Sequence, residues 1–411
     1  MLTVEEALAR VLEHVPPGSA ERAWLADAHG RILAEDVFSP GELPPWPASA
    51  MDGFAVRAAD IPGDLRVLET VAAGGVPRHR VEPGTVTRIM TGAPVPDGAD
   101  AVVMVEDSEA LPPSAAGADR VRLLGAAAVG QHVRPRGSEV ARGVRVLSRG
   151  QTLGAGAIGV LAAVGIPSVR VSVRPRVGIL STGDELVEPG GALGPGQIHS
   201  SNGHALAALV REAGGVPVDL GNAPDDPVAI GAAFRAALRC DLVVSTGGVS
   251  VGDYDHVKGV LKDLGLTMDF WRVAMKPGKP LAYGVLGGTP VFGLPGNPVS
   301  CMVNFYQFVR PVLRTMLGDP TPYLPVIQAE MVGRSRRRPG RAEFVRVRLF
   351  RDGDTVRAEV AGHQGSAGVL SMADAHGFAL LPEAATEVAG TVAVQVFDPG
   401  FLAGAEASYR W

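Results

Sequence analysis

Two of the four lysines in this 411-residue chain stand three residues apart, Lys276 and Lys279, across a Pro-Gly corner. Arginine supplies nearly all the remaining positive charge, so a lysine pair here reads as a requirement for a compact ammonium group. Before it comes Thr246-Gly247-Gly248-Val249-Ser250, and after it Pro295-Gly296-Asn297-Pro298. Glycine turns expose backbone N–H groups, and helix N-termini favour negative charge. A lone KxxK is an ordinary solvated turn. Set between two glycine turns, the pair predicts an anion site for a phosphate-bearing ligand.

The flanking elements would carry these residues to one place. Asp241-Leu242-Val243-Val244 is a short apolar, β-branched run that predicts a buried strand entering the first turn. A second such strand, Pro290 to Leu294, enters the second turn, where Asn297 is placed as N-cap and Pro298 as the first residue of a long helix. Residues 176 to 317 alternate strand and helix throughout, with Asp226 as N-cap and Pro227 at N1 of one helix. That alternation predicts a three-layer α/β domain with a largely parallel sheet. Its first strand ends in Ser181-Thr182-Gly183-Asp184-Glu185-Leu186, a third polar glycine turn on the same edge. Open α/β sheets bind ligands at the carboxyl ends of their strands.

Outside this domain the pattern changes. Thr3-Val4-Glu5-Glu6 is a capping box opening an amphipathic helix that Pro16-Pro17-Gly18 ends. A proline-rich run, Pro40 to Pro47, reads as a connection between domains, and Asp52-Gly53 after it as an ordinary turn. Residues 65 to 147 carry short β-branched runs between Gly/Pro turns and predict a separate small β domain, in which Thr91 sits at a strand-to-turn boundary. Gln151 to Val164 is apolar and rich in Gly and Ala, predicting a closely packed helix. After Gly318 three strand-like runs predict a small C-terminal β domain, beside a cluster of Arg334, Arg336, Arg337, Arg338 and Arg341. That cluster is short, with little aromatic interleaving, and reads as a solvated loop or a local anion contact.

The formal net charge of −5 argues against a general nucleic-acid binder. Gly, Pro or charge interrupts each apolar run before membrane-spanning length, and the N-terminus is unlike a secretory signal. The two cysteines, Cys240 and Cys301, are too few for a disulfide framework or a zinc site and read as core residues. A cytoplasmic protein is expected, with no membrane and no nucleic-acid partner.

The motifs SAMDGFAV, RIMTGAPVPDGADAVV, STGDEL, TGGVSVGDYD, MKPGKP, GLPGNPVS, RPGRAEFVR and GSAGVLSMADAHGFALLP occur in that order along the chain. In these the chain resembles the molybdopterin molybdenumtransferases (molybdenum insertases), a family related to the C-terminal part of gephyrin. The resemblance implies a multidomain α/β plus β architecture. Residues 1–45 and 138–174 would form an elongated linking domain and 46–137 an inserted β domain. Residues 175–318 would form the molybdopterin-binding α/β domain and 319–411 a C-terminal β-barrel-like domain. It further implies insertion of molybdenum from molybdate into adenylylated molybdopterin, with cleavage of the pyrophosphate bond, release of AMP and magnesium as cofactor. A homodimer with sites shared between subunits is implied, and other cofactor-synthesis proteins are candidate partners.

Residue by residue, the resemblance puts Asp52, Thr91, Glu139, Glu185, Asp226, Asp255, Lys276 and Lys279 in catalytic positions. Glu185 and Asp255 would hold the metal. Thr182, Gly183, Asp184, Gly247, Gly248, Ser250, Pro295, Gly296, Asn297 and Pro298 would cradle substrate, with Ser300, Arg341 and Ser366 as further molybdate contacts. For Asp226 capping alone is a sufficient account, and either Asp184 or Glu185 serves as the functional acid of its turn. Glu139 stands where Asp is often found, Phe54 where Tyr is common, and Thr246 where Ser is frequent. Molybdopterin adenylylation and a non-catalytic scaffold are the alternatives. The first needs only the α/β domain, and the second could dispense with the acids and lysines.

Overall fold

The computed structural model describes residues 1–16, 18–115, 117–248 and 256–403. The chain divides into two units. One joins Met1–Glu21 and Gly30–Ala34 to everything from Ser172 onward; the other comprises Arg22–His29 and Glu35–Val171.

The first unit is built on a six-stranded sheet. Val216–Ala223, Arg176–Thr182, Leu242–Thr246 and Thr289–Leu294 lie side by side and parallel. Pro280–Leu286 returns antiparallel to Thr289–Leu294 through Gly287-Gly288, and Thr267–Arg272 adds an antiparallel edge. Leu242–Thr246 is buried along its whole length, as a central strand covered on both faces must be. On one face Leu180, Val243 and Val291 meet Ile230 and Phe234 of the helix Pro227–Ala237 and Val257 and Leu261 of the helix His256–Asp263. On the other, Ile179, Val244 and Phe292 meet Leu206 and Val210 of the helix Asn202–Glu212 and the long helix after Pro298. These are the three layers the alternating pattern predicts. Both cysteines are buried and free.

The predicted capping box forms: Thr3 accepts from the Glu6 amide at 3.2 Å and Glu6 from the Thr3 amide at 2.9 Å. The helix it opens, Val4–Glu13, buries Ala7 and Val11 in the α/β core, and Tyr283 donates its hydroxyl to the Val11 carbonyl at 3.2 Å. The long helix runs as Pro298–Asn304, a π-helical turn Phe305–Val309, then Arg310–Met316. Proline at 311 has no N–H to give the preceding turn, and wider π-turn pairing accommodates it.

The C-terminal region closes into a five-stranded barrel. Ala342–Asp352 pairs with Thr355–Val360, which pairs with Val326–Met331, then Thr391–Val396, then Gly377–Leu381, which returns to Ala342–Asp352. Val345, Val347, Leu349 and Val394 fill its interior, while Phe344 and Phe378 join the α/β core. Alternation along one strand thus serves two cores.

The second unit carries another six-stranded sheet, in the order Ala101–Met104, Gly53–Val56, Thr85–Ile89, Gly63–Val71, Arg120–Leu123, Ser108–Leu111. Phe54, Val86, Val103 and Leu123 pack one core and Ala55, Ile89 and Val102 another. The apolar stretch Gln151 to Val164 does form a helix, Ala155–Ala163, but contrary to the expectation of close packing only Leu161 is buried within this chain. Apolar side chains all round give this helix no polar face, so the sequence could not say which side is covered.

Candidate active site

A cleft of about 590 Å³ lies at the carboxyl ends of the parallel strands, lined by all three glycine turns. The chain leaves Arg176–Thr182 for the strand on one side and later enters Leu242–Thr246 on the other, so the cleft sits where the strand order reverses. Close backbone approach is what the glycines permit. Gly247 has φ +91°, and a Cβ there would stand 2.4 Å from the Thr182 carbonyl oxygen. Gly248 has φ +60°, and its Cβ would strike Val257 at 2.4 Å. A Cβ on Gly183 would fall 2.5 Å from the Glu185 carboxylate. At Gly296 the nearest neighbour of such a Cβ is the Gly247 Cα, 3.7 Å away, so the turns after two adjacent strands face each other in van der Waals contact.

A residue that sequence reasoning missed ties these turns together. Asn202, the first residue of its helix, donates Nδ2 to Thr246 Oγ1 and to the Gly296 carbonyl, both at 2.8 Å. Thr246 in turn donates to the Pro295 carbonyl at 3.2 Å. The polar run Ser200-Ser201-Asn202 ahead of an apolar-periodic helix was the available signal, and Ser200 and Ser201 also line the cleft. Thr182 Oγ1 is buried and has no hydrogen-bond partner among the described residues. Asn297 is the N-cap by position, yet its side chain makes no capping bond and lines the cleft instead. The Val299 amide is taken by the Ser366 carbonyl at 3.0 Å, which brings the loop carrying Ser366 to the helix start and Ala367 to the cleft wall. Ser300 is buried in the helix.

The acidic edge separates neighbours in sequence. Asp226 is committed to its helix, accepting from the Ala229 amide at 2.8 Å. Asp225, which the sequence reading passed over, lines the cleft with Glu185, and its amide donates to Asp184 Oδ1 at 3.1 Å. Partial burial, and then the charges of Asp184 and Glu185, push the Asp225 carboxyl above its ordinary value. Among the described residues no three His, Cys, Asp or Glu side chains converge as a metal site. Ser250 and Asp255 lie outside the described residues.

The two lysines diverge. Lys276 is exposed and lines a second cleft, of about 550 Å³, at the mouth of the barrel, where its Nζ stands 2.8 Å from Glu343 Oε1. Arg336, Arg337, Arg338 and Arg341 line the same cleft over a floor of Val345 and Val360. The arginine cluster thus borders a cavity instead of a plain solvated loop. Lys279 is half-buried and forms no ion pair among the described residues, while its neighbour Pro280 lines the first cleft. The corner between them is fixed from beneath. Fully buried Asn304 donates Nδ2 to the Gly278 carbonyl at 3.2 Å and the Pro280 carbonyl at 3.4 Å, and a Cβ on Gly278 would meet the Asn304 side chain at 2.8 Å. Nothing in the sequence pattern marked Asn304 out from its helical neighbours.

Asp52, Thr91 and Glu139 belong to the other unit. There the Asp52 carboxylate accepts from the Thr91 amide at 2.6 Å and the Thr91 hydroxyl at 2.7 Å, and these bonds, the amide's first, hold it below the ordinary carboxylate range. Glu139 is exposed, with its amide donating to the Leu43 carbonyl at 3.0 Å.

Comparison with known proteins gives concordant results. Residues 2–165 match the model of the MoeA N-terminal region (domain I and II), 178–315 that of a probable molybdopterin binding domain, and 328–397 that of the MoeA C-terminal region (domain IV). Molybdopterin molybdenumtransferase 2 of Mycobacterium tuberculosis is 40% identical over 387 residues, covering 91% of this chain and 94% of that protein. The molybdopterin molybdenumtransferase of Bacillus subtilis is 34% identical, covering 93% and 90%. The crystal structure of the molybdopterin biosynthesis moea protein from Pyrococcus horikosii superposes with a TM-score of 0.84 at 34% identity, covering 97% of this chain and 99% of that one. The chain belongs to the molybdopterin molybdenumtransferase family.

Proposed function

We propose that this protein inserts molybdenum from molybdate into adenylylated molybdopterin, cleaving the pyrophosphate bond and releasing AMP. The observation that carries the reading is one loop serving two clefts. Pro280 lines the glycine-walled cleft at the strand ends, and Lys276, four residues earlier, lines the basic cleft at the barrel mouth. The first suits a phosphate-bearing substrate held by main-chain groups. The second suits a tetrahedral oxyanion, which ammonium and guanidinium groups neutralise. Family membership along nearly the whole chain disfavours a stand-alone adenylylating domain.

Magnesium fits the acidic edge as a shared ion. Magnesium is usually held by one or two carboxylates together with substrate phosphates. Glu185 and Asp225, with Asp184 beside them, offer hard oxygen donors whose mutual repulsion a cation would relieve. When bound, the ion would neutralise negative charge on the phosphoric anhydride. Asp226 remains with its helix, and Thr246 and Asn202 keep the turns in register.

The homodimer is part of the same reading. Its support is the apolar surface of the second unit, where Trp24, Phe38 and Val144 are exposed and the apolar helix Ala155–Ala163 buries only Leu161. Asp52 and Thr91 would then act on a partner's cleft. No helix among the described residues is long and apolar enough to cross a membrane, and we place the reaction in the cytoplasm. The test is AMP release from adenylylated molybdopterin in magnesium, with and without molybdate. Molybdate-dependent release with metal recovered on the pterin supports the reading; a folded dimer that binds substrate but never hydrolyses it contradicts it.

A further inference from the structure

The basic cleft at the barrel mouth contains one carboxylate, the glutamate of RPGRAEFVR, to which the proposed reaction gives no role. Glu343 sits near the start of the barrel strand Ala342–Asp352, which pairs with Met275–Lys276 so that Lys276 and Glu343 are direct partners across the bridge. Its side chain is only 10% exposed. One carboxylate oxygen stands 2.8 Å from Lys276 Nζ and the other 3.3 Å from Arg337 Nε. That Nε is buried and not aligned to donate to Glu343, and Arg337 is held independently, through Nη1 to the Pro382 carbonyl at 3.2 Å and Nη2 to the Arg341 carbonyl at 2.5 Å. Arg337 would therefore stay in place without Glu343, whereas Lys276, half-exposed, would be released.

We infer that Glu343 is the charge-setting residue of this cleft: it positions Lys276 and cancels one of the cleft's positive charges, so that a tetrahedral dianion is held weakly enough to move on. The inference rests on the reading of Lys276 as an oxyanion ligand. Five cations around one cavity with no counter-charge would bind sulfate or phosphate as well as molybdate and hold all of them. An oxyanion that is to be consumed must instead be bound with limited strength, since tight ground-state binding lowers KM without speeding the reaction. A nearly buried carboxylate facing Lys276 supplies that limit, because any incoming dianion must compete with it for the ammonium.

The test uses the full chain, with sulfate and inorganic phosphate as probes in calorimetry and thermal melts. Glu343→Gln keeps the shape and removes the charge, and removing one unit charge beside a dianion at low salt should tighten sulfate roughly tenfold. The gain should fade as salt is raised, and sulfate should raise the Tm of this variant more than that of the parent. Glu343→Asp, which keeps the charge, should bind within about twofold of the parent, and it carries the test if the Gln variant does not fold. A structural role alone predicts the opposite sign, with sulfate weakened as the cleft loosens. Unchanged or weaker sulfate in a folded Gln variant, or tighter sulfate in the Asp variant, overturns the inference while leaving the oxyanion reading intact. A parent protein that binds no oxyanion, with no change on Lys276→Ala, overturns both.

Discussion

The two clefts of the first unit have similar volumes, about 590 and 550 Å³, and are made in opposite ways. The strand-end cleft is walled by main chain. Gly247 and Gly296 bring backbone against backbone, Gly248 and Gly183 let side chains close over the turns, and its fixed polar bonds run from Asn202 and Thr246. The barrel-mouth cleft is walled by long charged side chains, Lys276 and four arginines, disciplined by Glu343. A main-chain cradle cannot adjust without moving a strand, so it selects by shape. A side-chain cleft selects by charge and responds to salt and to single-charge substitutions. Substitutions should therefore separate the two by kind of failure as well as by size.

The largest effect is expected at Gly247. Its Cβ would collide with a carbonyl that cannot give way, at a φ that side chains disfavour, so Gly247→Ala should destabilise the protein by roughly 3 kcal/mol. Molybdopterin binding should be abolished in the same variant; a Gly247→Ala protein with parental melting and binding would show that the cradle is not main-chain limited. Next, Lys276→Ala should lower molybdate-dependent turnover by roughly 10²-fold, the scale of losing one charge-stabilising donor, with molybdopterin affinity little changed. Asn304→Ala should come third. Losing the bonds to Gly278 and Pro280 costs about 1–3 kcal/mol, and because the loop serves both clefts, both ligands should weaken together in parallel titrations.

Smaller effects divide the adjacent acids. Asp226→Ala removes an N-cap, about 1 kcal/mol in a thermal or urea melt, and should leave turnover near parental. Asp225→Asn removes a carboxyl that its surroundings already disfavour as an anion, so stability should not fall, while the magnesium concentration needed for half-maximal activity should rise. In the other unit, Thr91→Ala should raise the Asp52 pKa toward the ordinary carboxylate value, visible in an NMR titration of the side chain. The sign follows from linkage. A depressed folded pKa contributes stability that is present above the unfolded pKa and lost as pH falls through the folded one. Thr91→Ala should therefore lower stability at neutral pH, lessen the further loss as pH falls, and match the parent below the folded Asp52 pKa in that respect.

The main-chain cleft was legible in the sequence because its determinants are local. A buried β-branched run followed by glycine turns fixes where a strand ends and what its end exposes, and Leu242–Thr246 running into Gly247-Gly248 obeys that rule. The capping box at Thr3 and the cap at Asp226 were legible for the same reason. What escaped depends on tertiary placement. Asp225 and Asp226 differ in role only because one falls toward the helix and the other toward the strand ends. Glu343 is in sequence only the glutamate of RPGRAEFVR, and pairing with Met275–Lys276 sets it against a lysine 67 residues away. Asn304 is one polar residue in an apolar helix, and only the loop folded over it gives it a task. Asn297 was placed correctly at the helix start, but its side chain is turned from capping to the cleft.

The most direct test of the division between the clefts is a pair of titrations, molybdopterin and molybdate, each run on the parent, Gly247→Ala and Lys276→Ala. The account predicts a crossed result: Gly247→Ala loses molybdopterin and keeps molybdate, and Lys276→Ala loses molybdate and keeps molybdopterin. Parallel losses of both ligands in both folded variants would contradict it, and would mean that the two clefts act as a single site.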